Sequence, residues 1–288
     1  MRWTPGGLSP DVEDRRGSSG GGGFGFGRGP TIGCGGAVIL LVLSLLTGKN
    51  FFALFDGSGG VPQQGGPATA TAAPTNETPE ERARAEFISD ALDDAQNTWT
   101  QIFQTEGIQY QRARLVLFRD LTQSGCGTGQ AASGPFYCPA DGKVYLDLSF
   151  FDELDRRFGA PGDFAQAYVV AHEIGHHVQN LVGTSDRVQE AMQRDQRNAN
   201  EYSVRLELQA DCYAGVWAAA AQQRGVLETG DVEEGLDAAS AVGDDRMQEM
   251  SGRGVNPDAF THGSAAQRAE WFTRGLKSGR MRDCDTFR

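Results

Sequence analysis

Residues Thr31 to Thr47 form a run of 17 without a single charged side chain, and that run divides the chain into two polymers of different kind. Glycine marks the first: 19 of the 39 glycines fall within the first 80 positions. Gly20 to Gly23, Gly25, Gly27 and Gly29 are interrupted by Phe24, Phe26 and Arg28 with no apolar period, so residues 1–30 read as a disordered Gly-rich tail. The run itself centres on Ala37-Val-Ile-Leu-Leu-Val-Leu-Ser-Leu-Leu46 and meets the lower end of the about 17–25 residues needed to cross a bilayer. Residues 31–48 therefore read as a single transmembrane helix that serves as a signal anchor. A buried core helix and a cleaved signal peptide are the alternatives. The latter starts with a short basic stretch and ends at a small-x-small site, whereas here a long segment precedes the run and Gly-Lys-Asn-Phe-Phe follows it. Arg15, Arg16 and Arg28 before the run against Lys49 after it place the tail in the cytoplasm and the rest of the chain outside the cytoplasmic membrane. Residues 49–80, rich in Gly, Pro, Thr and Ala, offer nothing to bury and read as a disordered tether.

Residues 81–288 read as one α+β domain, mostly helical with a small sheet. Thr78-Pro-Glu-Glu opens a helix with a cap, an early proline and early acids, followed by Phe87, Ile88, Leu92, Ala95, Trp99 and Ile102 at helical spacing. Residues 114–118 and 144–150 read as strands, the second alternating enough to leave one polar face. Asp163, with Gln166 as capping-box partner, begins a helix that Gly183 can end. Further helices are expected from about Asn200 to Arg224, over 231–250 and over 264–277. A formal charge of −12 excludes a protein whose main partner is a nucleic-acid backbone. Of the five cysteines, Cys34 lies in the uncharged run, Cys126 and Cys138 flank a Gly/Ser-rich loop suited to a local disulfide, and Cys212 and Cys284 are candidates for a second.

Chemistry concentrates in His172-Glu173-Ile174-Gly175-His176, inside the Asp163 helix. Residues four apart lie one turn above each other, so His172 and His176 can converge on one ion, while Glu173, about 100° away, reaches the ion's edge without ligating it. The bland alternative is an amphipathic helix with satisfied polar groups. Against it, three of only four histidines lie within six residues. A catalytic zinc needs a third protein ligand and an open position. In the next long helix Glu207, Ala210, Asp211, Ala214 and Ala218 share one face, whose alanines permit a close approach. Glu207 can then be the third ligand, and Asp211 can orient a ligating imidazole from behind. His177 and Cys212, the nearby candidates for a fourth ligand, point elsewhere around their helices. One Zn2+ ion would lower the pKa of its bound water toward about 7, and Glu173 would move the proton from that water to the leaving amine. His262 can donate to the tetrahedral oxyanion, with Arg268 bracing it or the ligating carboxylate. An ordinary capping loop is the alternative for that pair. The 144–150 strand, if it lies at a sheet edge, can bind a peptide by strand addition.

These motifs, in order along nearly the whole chain, resemble the bacterial neutral zinc metallopeptidase family. The likeness is carried by Arg2-Trp3, Asp11-Val-Glu-Asp-Arg-Arg-Gly17, Gly134-Pro-Phe-Tyr-Cys-Pro-Ala-Asp-Gly-Lys-Val-Tyr-Leu-Asp147 and His172-Glu-Ile-Gly-His-His-Val-Gln179. It continues in Glu207-Leu-Gln-Ala-Asp-Cys-Tyr-Ala-Gly215, Phe260-Thr-His-Gly263 and Cys284-Asp-Thr-Phe287. The resemblance implies a membrane-anchored, zincin-like peptidase acting on peptides or proteins, with His172, His176 and Glu207 as ligands and Glu173 as base. Glu207-x-x-Ala-Asp211 and the His262-x₅-Arg268 spacing also resemble the heat-shock membrane metallopeptidases and the CAAX prenyl endopeptidases. Proline usually follows the corresponding His there; here the residue is Gly263. A zincin-fold binding or regulatory protein without turnover is the competing expectation, and Glu173, which such a scaffold does not need, favours the enzyme.

Overall fold

A computed structural model describes residues 1–4, 6–17 and 77–288 of the chain. The anchor expected at 31–48, most of the Gly-rich tail and nearly all of the tether lie outside the described residues. Among the described residues no helix is long and apolar enough to cross a membrane. Helix α1 (Pro79–Thr105) begins where Thr78 Oγ1 accepts the Glu81 amide at 3.1 Å, and its Ile88, Leu92, Ala95 and Trp99 face are fully buried. That face packs against a four-stranded sheet and the helices beyond it.

The sheet contains β1 (Val12–Asp14), β2 (Arg114–Phe118), β5 (Phe136–Cys138) and β6 (Lys143–Asp147), in the order β1-β2-β6-β5. The first three in that order run parallel and β5 is antiparallel to β6. Leu115 and Leu117 pair with Val144 and Leu146 on the face toward the helices, and Val116 pairs with Tyr145 on the other. That second face is covered as well. Hairpin strands β3 (Leu121–Ser124) and β4 (Gly127–Gln130) lie over it, joined to β5 by a Cys126–Cys138 disulfide. Gly129 lets this cover close down, since a Cβ there would sit 2.6 Å from the Phe136 ring. Two expectations for residues 144–150 are thereby corrected. The strand has no polar face, because the hairpin buries Tyr145, and it is not an edge, because β2 and β5 pair with it on both sides; the edges are β1 and β5.

The first residues of the chain belong to this body rather than to a separate tail. β1 adds to β2, Ser9 N donates to Ser89 Oγ at 2.7 Å, and Trp3 meets Phe87 edge-on at 5.3 Å. Arg16 is buried, with Nη2 at 2.6 Å from Asp14 Oδ2 and 2.9 Å from Glu77 Oε1. The Met1 ammonium donates to both oxygens of Asp163 at 2.8 and 2.9 Å and to Asp231 Oδ1 at 3.2 Å.

After the short α2 (Phe150–Arg156) come α3 (Asp163–Leu181), α4 (Thr184–Arg194), α5 (Ala199–Gln223), α6 (Asp231–Ala241), α7 (Asp244–Met250) and α8 (Ala265–Ser278). Asp163 does not cap α3 as its sequence context implies: Gly162 is the N-cap, and the Asp163 carboxylate is taken by Met1. The single helix expected over 231–250 is two, because the chain bends at Gly243, where an added Cβ would lie 2.3 Å from Ala265 N. Helices α5 and α8 press together through facing glycines. A Cβ on Gly275 would come 1.9 Å from Cys212 O, and one on Gly215 would come 2.1 Å from Phe272 O. A second disulfide, Cys212–Cys284, ties α5 to the C-terminal segment.

Candidate metal centre

Helix α3 carries His172, Glu173 and His176; α5 carries Glu207 and Asp211. The two helices are nearly in backbone contact at Gly175, where a Cβ would lie 2.9 Å from Ala210 O. Ala210 and Ala214 are fully buried, so the small-residue face read from the sequence is the face that meets α3. The contact brings Glu207 across to the histidines. Glu207 Oε2 lies 3.2 Å from His172 Nε2, and Oε1 lies 3.5 Å from His176 Nε2. The two Nε2 atoms are 3.2 Å apart. His172, His176 and Glu207 thus offer three ligand atoms within 4.8 Å of one another.

What surrounds these atoms decides what they can do. His172 Nδ1 lies 2.8 Å from Asp211 Oδ1, and His176 Nδ1 lies 2.9 Å from the side-chain Oε1 of Gln179. Both oxygens can only accept, so each Nδ1 carries its proton outward and each Nε2 turns a lone pair inward. Two lone pairs and a carboxylate then face one another in a buried space, an arrangement that repels itself unless a cation stands between them. A divalent ion with borderline-soft N/O preferences fits this donor set. Without a metal the same space attracts protons. Burial disfavours the charged imidazole of His172, but Asp211 and Glu207 outweigh it and push the pKa up to about 10. Burial would likewise raise Glu207, yet the neighbouring His176 and His172 hold its carboxyl well below the usual range. Glu173, also buried, has no donor reaching its carboxylate among the described residues, and burial raises its pKa.

Asp211 is wholly buried and is held by Arg268 of α8 through two bonds, Nε to Oδ2 at 2.8 Å and Nη2 to Oδ1 at 2.9 Å, with the Tyr168 hydroxyl as a further donor. Burial opposes its charge, and Arg268 with His172 more than offsets that, so its pKa is lowered. Arg268 therefore braces the carboxylate behind His172. This corrects the sequence expectation, which aimed it at His262 or at Glu207. Gln179 performs the matching service for His176, its Nε2 donating to Leu206 O at 2.6 Å on α5.

His262 lies in a loop packed on α5. Asp244, the first residue of α7, organises that loop: its Oδ2 accepts from the amides of Thr261, His262 and Gly263 at 2.7, 2.6 and 3.0 Å. Its Oδ1 is 3.2 Å from His262 Nδ1. Burial works against protonation of His262, but Asp244 and the Glu207 charge raise its pKa. Gly263 has φ 94° with the Leu208 and Val204 side chains 3.2 and 3.3 Å from where a Cβ would be. Proline, locked near −65°, cannot take that conformation, which accounts for glycine at this place.

His177 points away from the centre, its Nε2 donating to Gln111 O at 2.6 Å and its Nδ1 lying 3.0 Å from the Tyr137 hydroxyl. Cys212 is spent in its disulfide. Among the described residues, then, no fourth ligand joins the three. Asp244, Gln179 and Tyr168 escaped sequence reading. Gln179 could have been found, being one turn from His176 on the same helix, whereas Asp244 and Tyr168 act across long stretches of chain.

The chain matches, over residues 1–287, the family described as "Putative neutral zinc metallopeptidase". It is 48% identical over 293 residues to "Uncharacterized protein YpfJ" of Escherichia coli, covering 100% of this chain and 99% of that one. It is also 48% identical over 189 residues to "Uncharacterized protein Rv2575" of Mycobacterium tuberculosis, covering 62% of this chain and 63% of that one. No solved structure matches it.

Proposed function

This chain belongs to the neutral zinc metallopeptidase family, and on that premise we propose that it is a zinc-dependent endopeptidase. His172, His176 and Glu207 hold one Zn2+ ion, and Glu173 is the general base. The observation that carries this reading is the convergence of two imidazole Nε2 atoms and a carboxylate, 3.2 to 3.5 Å apart, with each Nδ1 turned outward onto an acceptor. Zinc in such a set, with one position left to solvent, supplies Lewis acidity toward water and toward a scissile carbonyl.

The chain's own residues do the rest. Glu173 stands beside the two ligands with a raised pKa and an unengaged carboxylate, so it takes a proton from the attacking water and returns it to the leaving nitrogen. His262, whose protonated form Asp244 favours, donates to the oxyanion as the tetrahedral state forms. Arg268 and Asp211 hold His172 in the tautomer that presents Nε2. A peptide adds as a strand to the free edge of β5, which Tyr137 ties to α3 through its hydroxyl contacts with His177 and Asn180. Attachment to a membrane draws on the uncharged run 31–47, which lies outside the described residues.

The test is cleavage of a peptide library by the full-length protein and by Glu173→Gln. The variant retains zinc and loses about 10²–10⁴-fold in rate, the usual worth of a general base. Zinc bound by the unaltered protein with no cleavage of any peptide would leave a zincin-fold binding protein instead.

A further inference from the structure

The fold bears on the sidedness of the chain, through residues at both ends of the stretch 18–76. Residues 1–17 are integral to the body that carries the metal centre. β1 is hydrogen-bonded along β2 in register from Val12↔Leu115 to Asp14↔Leu117. Leu115 N donates to Asp11 O at 2.9 Å, and Arg15 N donates to Leu117 O at 2.8 Å. Where the described chain leaves and where it returns are clamped to each other: Arg16 bridges to Glu77 at 2.9 Å across 61 positions of sequence, with the side chains 1% and 8% exposed. Such a pair cannot form across about 30 Å of hydrocarbon.

We infer that residues 1–17 and the metal-binding body lie on the same side of any membrane the chain meets. The chain leaves the body after Gly17 and comes back at Glu77 on that same side. A single crossing by the uncharged run, with a cytoplasmic tail opposite an external domain, does not allow this.

Two further observations point the same way. The charge asymmetry that assigns the tail to the cytoplasm counts Arg15 and Arg16, and both are consumed inside the fold. Arg15 bridges to Glu13 at 2.8 Å and donates to Gln123 O at 2.9 Å; Arg16 is held by Asp14, Glu77 and Glu81. With those two removed, Arg28 faces Lys49 and the asymmetry is gone. The body also depends on the arm electrostatically. Glu77 is almost wholly buried beside Arg16, and a carboxylate so placed is costly without its cation.

Paired accessibility decides the matter. In full-length protein expressed in bacterial cells with Cys34→Ser as parent, Leu8→Cys reports on the arm, and Ile108→Cys and Met250→Cys report on the body; all three positions are exposed. A membrane-impermeant maleimide is applied to intact and to lysed cells, and labelling above the parent is read. The expected result is the same intact-to-lysed ratio at all three positions. A second variant, Ser9→Cys with Asp93→Cys, replaces side chains 2.9 Å apart and is expected to cross-link within the cells. Labelling of Leu8→Cys on the opposite side from both body positions, with no cross-link in the double variant, would overturn the inference. The substitutions at the exposed Leu8, Ile108 and Met250 leave zinc content and peptidase activity untouched, so failure here is distinguishable from failure of the proposed activity.

Discussion

Helix α3 carries two clusters of metal-ligand side chains, one at each end of its buried stretch, and they are built for different cations. At its start Asp163 meets Asp231 and Glu234; two and a half turns on, His172 and His176 meet Glu207. The first cluster is all carboxylate, and the Met1 ammonium already sits on Asp163 and Asp231. The second mixes imidazole with carboxylate. Its outer hydrogen bonds to Asp211 and Gln179 turn the acceptor atoms inward, and among the described residues no Lys or Arg side chain stands between them. Proximity of ligand-type residues is shared by both clusters and distinguishes neither. What separates them is where the protons and the compensating cations already are.

That contrast can be broken at several points. The largest effect is expected from Glu207→Ala, which removes one of three ligands: zinc retained at micromolar metal falls to background and peptidase activity with it, measured by metal analysis after dialysis. Asp211→Asn keeps the size of the side chain but not the charge held by Arg268, and zinc affinity falls by about 10–100-fold in competition with a chelating dye. The pH dependence follows from the raised pKa of His172, about 10 without metal. The imidazole is protonated below that value and must lose its proton to ligate, so zinc affinity rises with pH, by about tenfold per unit for one proton released near neutrality. A pH-independent affinity between 6 and 9 would contradict this picture. The smallest effect on zinc is expected at the other cluster. Asp231→Asn leaves metal content unchanged and destabilises the fold by about 1–3 kcal/mol, the usual cost of an imperfectly matched buried donor, read by denaturant unfolding. Burial works against the Met1 ammonium, but Asp163 and Asp231 raise its pKa above the ordinary 8.0. The contribution is therefore complete below about pH 8 and fades as pH climbs through the raised value.

The helices of the candidate site were legible because their information is local. Apolar spacing marked α1, the four-residue interval placed His172 over His176, and the alanines of α5 announced which of its faces would meet α3. Asp163 looks like a cap because its sequence neighbours suit one; the ammonium that claims it stands 162 positions away. β1 was invisible for a similar reason: Val12 is the lone apolar residue among charged ones, and only pairing with β2, about a hundred positions on, makes it a strand. The break at Gly243 depends on the approach of Ala265, and the central place of β6 depends on strands that precede it. Arg268 was aimed at His262 or at the ligating carboxylate, and its side chain lies on Asp211 instead. Its side chain reaches Asp211 because Gly215 and Gly275 let α8 settle directly on α5, and nothing in the spacing of His262 and Arg268 reports that contact.

X-ray absorption at the zinc edge of the full-length protein tests the central claim most directly. One zinc per chain is expected, coordinated at about 2.0–2.2 Å by nitrogen and oxygen alone, with the scattering of two imidazoles, one carboxylate and one solvent oxygen. Sulfur in the coordination sphere, a third imidazole, or a metal that remains in full after Glu207→Ala would contradict it.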